Sequence, residues 1–240
     1  MRRDFLRKRV QNIMIQKAHT AYNNSDFETA FKLYSELAQT GDAAAQASLG
    51  YMYQNGQGTE NDIVQAVHWY EKAAEQKHPL AMYNIAVLLM HGEGITHDMF
   101  RAHEYFLEAA IKEVPQAQYE AAMMLEKGLG CIQNFAEAAF WYEEAAKRGN
   151  MEAYNNLGVL FKEGHGIEMD YTKAFYLFTK AAEANVPTAQ YNLGQMYDQG
   201  HGCEADQDRA LEWCRKAAYA GHEKAKNIIA QLQSDGKIVF

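Results

Sequence analysis

Three sets of residues in this 240-residue chain are of types that do chemistry. His91, His97 and His103 recur every six residues. A metal needs ligands on one face, and six residues is not a spacing that returns to the same side of a helix. His165 and His201 each sit between two glycines, with Cys203 close to His201. Imidazole and thiol can hold a metal or attack a carbonyl, so these three would carry a metal-dependent hydrolase if there were one. Cys131, Cys203 and Cys214 are odd in number and lack C-x-x-C spacing, which fits neither a disulfide framework nor a zinc site. G-x-S-x-G, H-E-x-x-H and Walker A motifs do not occur. The expectation is no catalytic residue, no metal and no cofactor.

The charge pattern narrows the partners. The formal net charge is −8, yet Arg2, Arg3, Arg7, Lys8 and Arg9 stand against only Asp4 in the first nine residues. The body is therefore strongly acidic, and an acidic body does not displace counterions from nucleic acid. The basic start reads as a solvated chain end. No apolar run reaches the roughly 20 residues a membrane helix needs, and no apolar segment follows the basic start as in a signal peptide. A cytoplasmic protein is expected, or a periplasmic or secreted one if a signal has been removed.

What must position any site is a repeat. G-x-G occurs at Gly56/Gly58, Gly92/Gly94, Gly128/Gly130, Gly164/Gly166 and Gly200/Gly202, always 36 residues apart. The same step links Asp62, Asp98, Asn134, Asp170 and Asp206, and it links Ala66, Ala102, Ala138, Ala174 and Ala210. A phosphate cradle is excluded, because there is no third glycine and no preceding strand, and the motif recurs as punctuation. In each copy, apolar residues at helical spacing mark a first helix that ends at the first glycine; an Asp or Asn then caps a second helix. Trp69, Tyr105, Trp141 and Trp213 form an aromatic column, while alanine and glycine columns let the helices approach closely. The predicted architecture is all-α, a right-handed α-solenoid of stacked antiparallel helix pairs. Five repeats span 44–79, 80–115, 116–151, 152–187 and 188–223. A capping hairpin occupies 1–43, its helices at 5–41 shorter than a full unit and joined by Asn23-Asn24-Ser25. A capping helix and tail occupy 224–240. The tail Ile238-Val239-Phe240 is apolar, suited to packing on the last helix or to adding to a sheet edge of a partner.

The pattern A-x-Y-N-L-G-x-M-Y-x-x-G-x-G-x-x-x-D-x-x-x-A-L-x-W-C-x-K-A-A at 189–218 resembles the Sel-1-like repeat family, a branch of the tetratricopeptide-like repeats. The resemblance covers 44–223. It implies a non-catalytic scaffold or adaptor for a protein or peptide partner, with first helices lining a concave face. Cysteine-rich members carry two cysteines per repeat; Ala74 and Ala110 stand in such a column here, so their disulfides are not implied. Carried onto this chain, the concave face takes Ala47, Tyr83, Tyr119, Asn155 and Tyr191 in one row. Tyr51, Val87, Met123, Val159 and Gln195 form the next row, then Gln54, Met90, Glu126, Lys162 and Asp198. Asn84, Asn156 and Asn192 form a column able to bond a peptide backbone or to bond within the solenoid. The expected partner-binding residues are Tyr51, Tyr83, Asn84, Val87, Tyr119, Met123, Asn156, Val159, Tyr191, Asn192 and Gln195. An oligomeric spacer is the remaining reading.

Overall fold

The computed structural model describes residues 2–236, with side chains described from Arg9 onward. Arg2, Arg3, Arg7 and Lys8 of the basic start have no described side chains, and the tail Ile238-Val239-Phe240 lies outside the described residues. Among the described residues there are thirteen α-helices and no strands. They are α1 (Arg2–Asn23), α2 (Phe27–Gln39), α3 (Ala43–Asn55), α4 (Ile63–Glu75), α5 (Pro79–His91), α6 (Met99–Ile111) and α7 (Pro115–Lys127), followed by α8 (Phe135–Lys147), α9 (Met151–Glu163), α10 (Tyr171–Glu183), α11 (Pro187–Gln199), α12 (Gln207–Tyr219) and α13 (Glu223–Ser234). From α2 to α12 every helix is 13 residues long, about 20 Å at 1.5 Å per residue.

The helix ends follow from the repeated columns. Asp26, Asp62, Asp98, Asn134, Asp170 and Asp206 cap the second helices, each side-chain oxygen accepting from the backbone N–H three residues on at 2.9–3.2 Å. Such a cap contributes about 1 kcal/mol. All three prolines fall at the first position of first helices, Pro79, Pro115 and Pro187. A missing N–H costs nothing at that position. The expected short N-terminal hairpin differs from what forms: α1 has 22 residues and is the longest described helix. Its junction with α2 is the tight turn foreseen at Asn23-Asn24-Ser25, with Ser25 at φ 62°.

Second helices end in one left-handed residue. It is glycine at Gly41, Gly149 and Gly221, but Lys77, Glu113 and Asn185 adopt φ of 60°, 63° and 64° in the same column. A lysine there is strained by its Cβ. Lys77 also pairs with Glu108, yet the pair is exposed and contributes little. Lys77→Gly is therefore expected to stabilise its repeat by about 0.5–1 kcal/mol, read as a higher urea midpoint at unchanged m.

The chain falls into two compact units. One runs to Ala117 and includes Leu129–Cys131; the other comprises Gln118–Gly128 and everything from Ile132 on. Inside each, helices pack chiefly on their sequence neighbours. In the first unit Tyr34, Leu49, Met52, Tyr70, Ile85, Leu88 and Phe106 make the core, and in the second Met124, Tyr142, Leu157, Phe178, Leu193 and Met196 do. Phe178 and Tyr70 are fully buried, each burial stabilising by roughly 2–3 kcal/mol.

Candidate partner-binding face

In the first unit the candidate residues lie on α3 and α5. Tyr51 is 43% exposed. It borders a hollow of about 290 Å³ together with Tyr22, Tyr34, Ser48, His78 and Asn84. Tyr83 is half-buried, its ring centroid 5.7 Å from that of Phe106. Val87, about one turn beyond, is also half-buried. Asn84 hydrogen-bonds the Tyr70 hydroxyl, which donates to Gln54 Oε1 at 2.8 Å. Burial drives the Tyr70 phenol well above the usual range.

In the second unit the candidates lie on α7, α9 and α11. Tyr119 is half-buried with its ring 5.8 Å from Tyr142. Met123 and Val159 are half-buried as well. A polar ladder runs behind them. Tyr142 Oη donates to Glu126 Oε2 at 2.5 Å and accepts from Asn156 Nδ2 at 3.1 Å. Asn155 Nδ2 donates to Asn156 Oδ1 at 3.0 Å, and Asn192 Nδ2 donates to Asn155 Oδ1 at 2.9 Å. Burial, then Glu126, raises the Tyr142 phenol far above its ordinary value. Tyr191 stacks on His222 at 4.5 Å, and its hydroxyl accepts from Gln195 Nε2 at 3.1 Å. Burial lowers the His222 imidazole, leaving Nδ1 to accept from the Ala225 N–H at the start of α13.

Two members of the first row expected on the concave face are instead interior: Ala47 is 8% exposed and Asn155 is 7%. Asn155 is held inside by the ladder just described, because an amide taken from water must keep its hydrogen bonds. The amides of Asn84, Asn156 and Asn192 likewise make bonds inside their units. The rule that sequence reasoning missed is a pairing between columns. Tyrosine in the second helix goes with Asn or Ser fourteen residues on, as in Tyr34/Ser48, Tyr70/Asn84 and Tyr142/Asn156. Comparing those two columns would have found it.

The residues suited to metal or nucleophile chemistry are placed apart by packing. His201 stacks on Tyr171 at 4.1 Å, and His165 lies 5.0 Å from the ring of Phe135. Each thus packs against the start of the preceding second helix. His103 is buried, at 8%. The Cys203 thiol points at the Met196 carbonyl, and burial pushes it up, away from thiolate. Among the described residues no three His, Cys, Asp or Glu side chains are placed to hold a metal, and no described helix is long and apolar enough to cross a membrane.

This geometry, with paired helices and left-handed glycines at one period, is matched by the family model described as Sel1 repeat, at residues 43–78, 79–113, 115–150, 152–186 and 187–222. The chain belongs to the Sel1 repeat family. A Sel1 repeat protein from Oxalobacter formigenes is similar at 29% identity and a TM-score of 0.83, over 91% of this chain and 87% of that one. The protective antigen c5321 of uropathogenic Escherichia coli, which displays the same repeat fold, is similar at 28% identity and a TM-score of 0.85. That match covers 94% of this chain, which spans 49% of the antigen. No curated protein matches the sequence. Sel1 repeat proteins are usually protein-interaction scaffolds and generally non-catalytic.

Proposed function

We propose that this Sel1 repeat chain is a non-catalytic scaffold that captures a segment of a partner protein on the faces of its first helices. The observation that carries the reading is the seating of the tyrosines. Tyr83, Tyr119 and Tyr191 are each backed by a second ring at 4.5–5.8 Å while remaining part-exposed. A ring so held loses little conformational freedom on binding, and an aromatic anchor of this kind dominates interface energy. Tyr51, Met123 and Val159 extend the apolar surface within their own units, and methionine adapts to varied partners. The cytoplasm is the proposed setting, since free thiols such as Cys203 and Cys214 persist in a reducing compartment.

The test is affinity capture from the native cell with a Tyr83→Ala/Tyr119→Ala/Tyr191→Ala protein. Capture is expected to fall at least tenfold. The protein should stay folded with a thermal midpoint lowered by roughly 5–20 °C, because the three lost ring contacts contribute about 0.5–1.5 kcal/mol each beyond the area they bury. Undiminished capture by a folded triple variant would remove the first-helix faces from the mechanism.

A further inference from the structure

The second helices place an aromatic ring at one register: Tyr34, Tyr70, Phe106, Tyr142 and Phe178, none more than 4% exposed. In the last repeat that register holds Cys214. A cavity of about 290 Å³ opens there, within the second unit, between α11, α12 and α13. It is near the lower end of ligand pockets, room for one ring rather than a cofactor.

Its walls repeat what surrounds the rings elsewhere. Gly194 lines it, and a Cβ on the equivalent Gly50 or Gly158 would lie 2.7 or 2.8 Å from the rings of Tyr70 or Phe178. Tyr191 lines it as Tyr83 flanks Phe106 and Tyr119 flanks Tyr142. Ile228 stands where Asn84 and Asn156 meet the hydroxyls of Tyr70 and Tyr142. The cavity is thus shaped for an aromatic ring that the chain does not supply at that position.

We propose that this slot takes a phenylalanine side chain from a partner segment, with a lysine or arginine of that segment beside Asp198. A ring entering from outside goes in tip first. The tip then meets Gly194 and Cys214, whose thiol is turned to the Ala225 carbonyl, so a phenol hydroxyl would find no side-chain oxygen or nitrogen there. That favours phenylalanine over tyrosine. Among the described residues, Asp198 is the one charged residue lining the cavity. It occupies the register of Gln54 and Glu126, which accept from tyrosine hydroxyls. With no hydroxyl at position 214 to bond, Asp198 is left exposed at the cavity, a complement to a cation. This inference rests on the scaffold reading for the source of the ring, and the probe below tests the slot without any partner.

The experiment titrates phenethylamine into the full-length ¹⁵N-labelled protein and follows amide shifts. Saturable shifts are expected at Gly194, Cys214 and Leu232. Tyramine should bind about tenfold more weakly, because its hydroxyl is buried unpaired. Cys214→Phe fills the slot; it should raise the thermal midpoint and weaken binding at least tenfold. Asp198→Asn should weaken phenethylamine about three- to fivefold and leave toluene unchanged. The proposal is overturned by shifts that do not saturate or that map elsewhere on the wild-type protein, a readout that needs no variant to fold. Equal binding by folded Cys214→Phe overturns it too. If deleting residues 237–240 tightens phenethylamine tenfold, Phe240 of the chain itself is the occupant and the partner assignment is wrong. Intact slot binding with capture lost in a Tyr83→Ala/Tyr119→Ala variant, which leaves the slot wall Tyr191 in place, separates this site from the first-helix faces.

Discussion

Gly202→Ala is expected to destabilise the C-terminal repeat by roughly 2–4 kcal/mol, while Gly200→Ala and Gly221→Ala cost about 1 kcal/mol each. All three glycines have positive φ, 68° at Gly200, 71° at Gly202 and 96° at Gly221, so alanine is strained at each. The difference lies in what the added Cβ would meet. At Gly221 nothing is within 4 Å, and at Gly200 the nearest atom is Ala205 Cβ at 3.3 Å. At Gly202 it would lie 2.2 Å from the Tyr171 carbonyl oxygen, which belongs to the backbone opening the preceding second helix. That oxygen cannot rotate away, so one repeat must shift against the next, and overpacking of this kind adds about 1–3 kcal/mol. Stability in a stacked repeat is shared between neighbours, so the loss should appear locally. Amide exchange in α12 and α13 should accelerate with α5 and α6 unchanged. A Gly202→Ala protein with the exchange pattern of Gly200→Ala would show that repeat contact at this glycine is not what selects it.

That contrast marks where the sequence was readable. The 36-residue step, the Asp206 cap and the end of α11 at Gly200 were legible because each depends on a residue's own backbone preference. Gly202 was legible only as the second glycine of its G-x-G pair. Its closer constraint comes from Tyr171, 31 residues earlier, and no local pattern reports that contact. The same holds for the candidate face. The register of Tyr83, Tyr119 and Tyr191 on first helices could be counted from Leu193 and Gly194. Their seating against Phe106, Tyr142 and His222 could not, since it depends on a neighbouring helix. Asn155 shared a row with tyrosines but is interior, because Asn156 and Asn192 draw it into their ladder. Cys214 stands 36 residues after Phe178, in the register of Tyr70 and Tyr142, and the space it leaves is evident only from the helices around it.

Tyr70 and Tyr142 should together give the fold a steep alkaline limit. Each phenol is buried against polar partners, Gln54 and Asn84 for Tyr70 and Glu126 and Asn156 for Tyr142. Desolvation is the largest cause in both cases and raises both phenols from 10.0. Nearby Tyr51 and, for Tyr142, Glu126 and Tyr119 push the same way, since each carries or would acquire negative charge. The sign follows from proton binding. Above pH 10 the unfolded chain releases these two protons and the folded chain keeps them. The stabilisation is therefore fully present below pH 10 and is lost as pH rises toward the folded values. Between those limits each tyrosine should remove about 1.4 kcal/mol per pH unit, nearly 3 kcal/mol for the pair. Lysines titrate in the same range, so the informative quantity is the difference in slope between proteins that share them. Tyr70→Phe/Tyr142→Phe should start less stable at pH 7, because Glu126 and Asn156 lose a partner. It should nonetheless decline more shallowly above pH 10, and the two stability curves should converge. Urea midpoints measured from pH 8 to 12 decide it. Parallel curves would mean that the two hydroxyls keep ordinary titration behaviour and that the ladder is open to water.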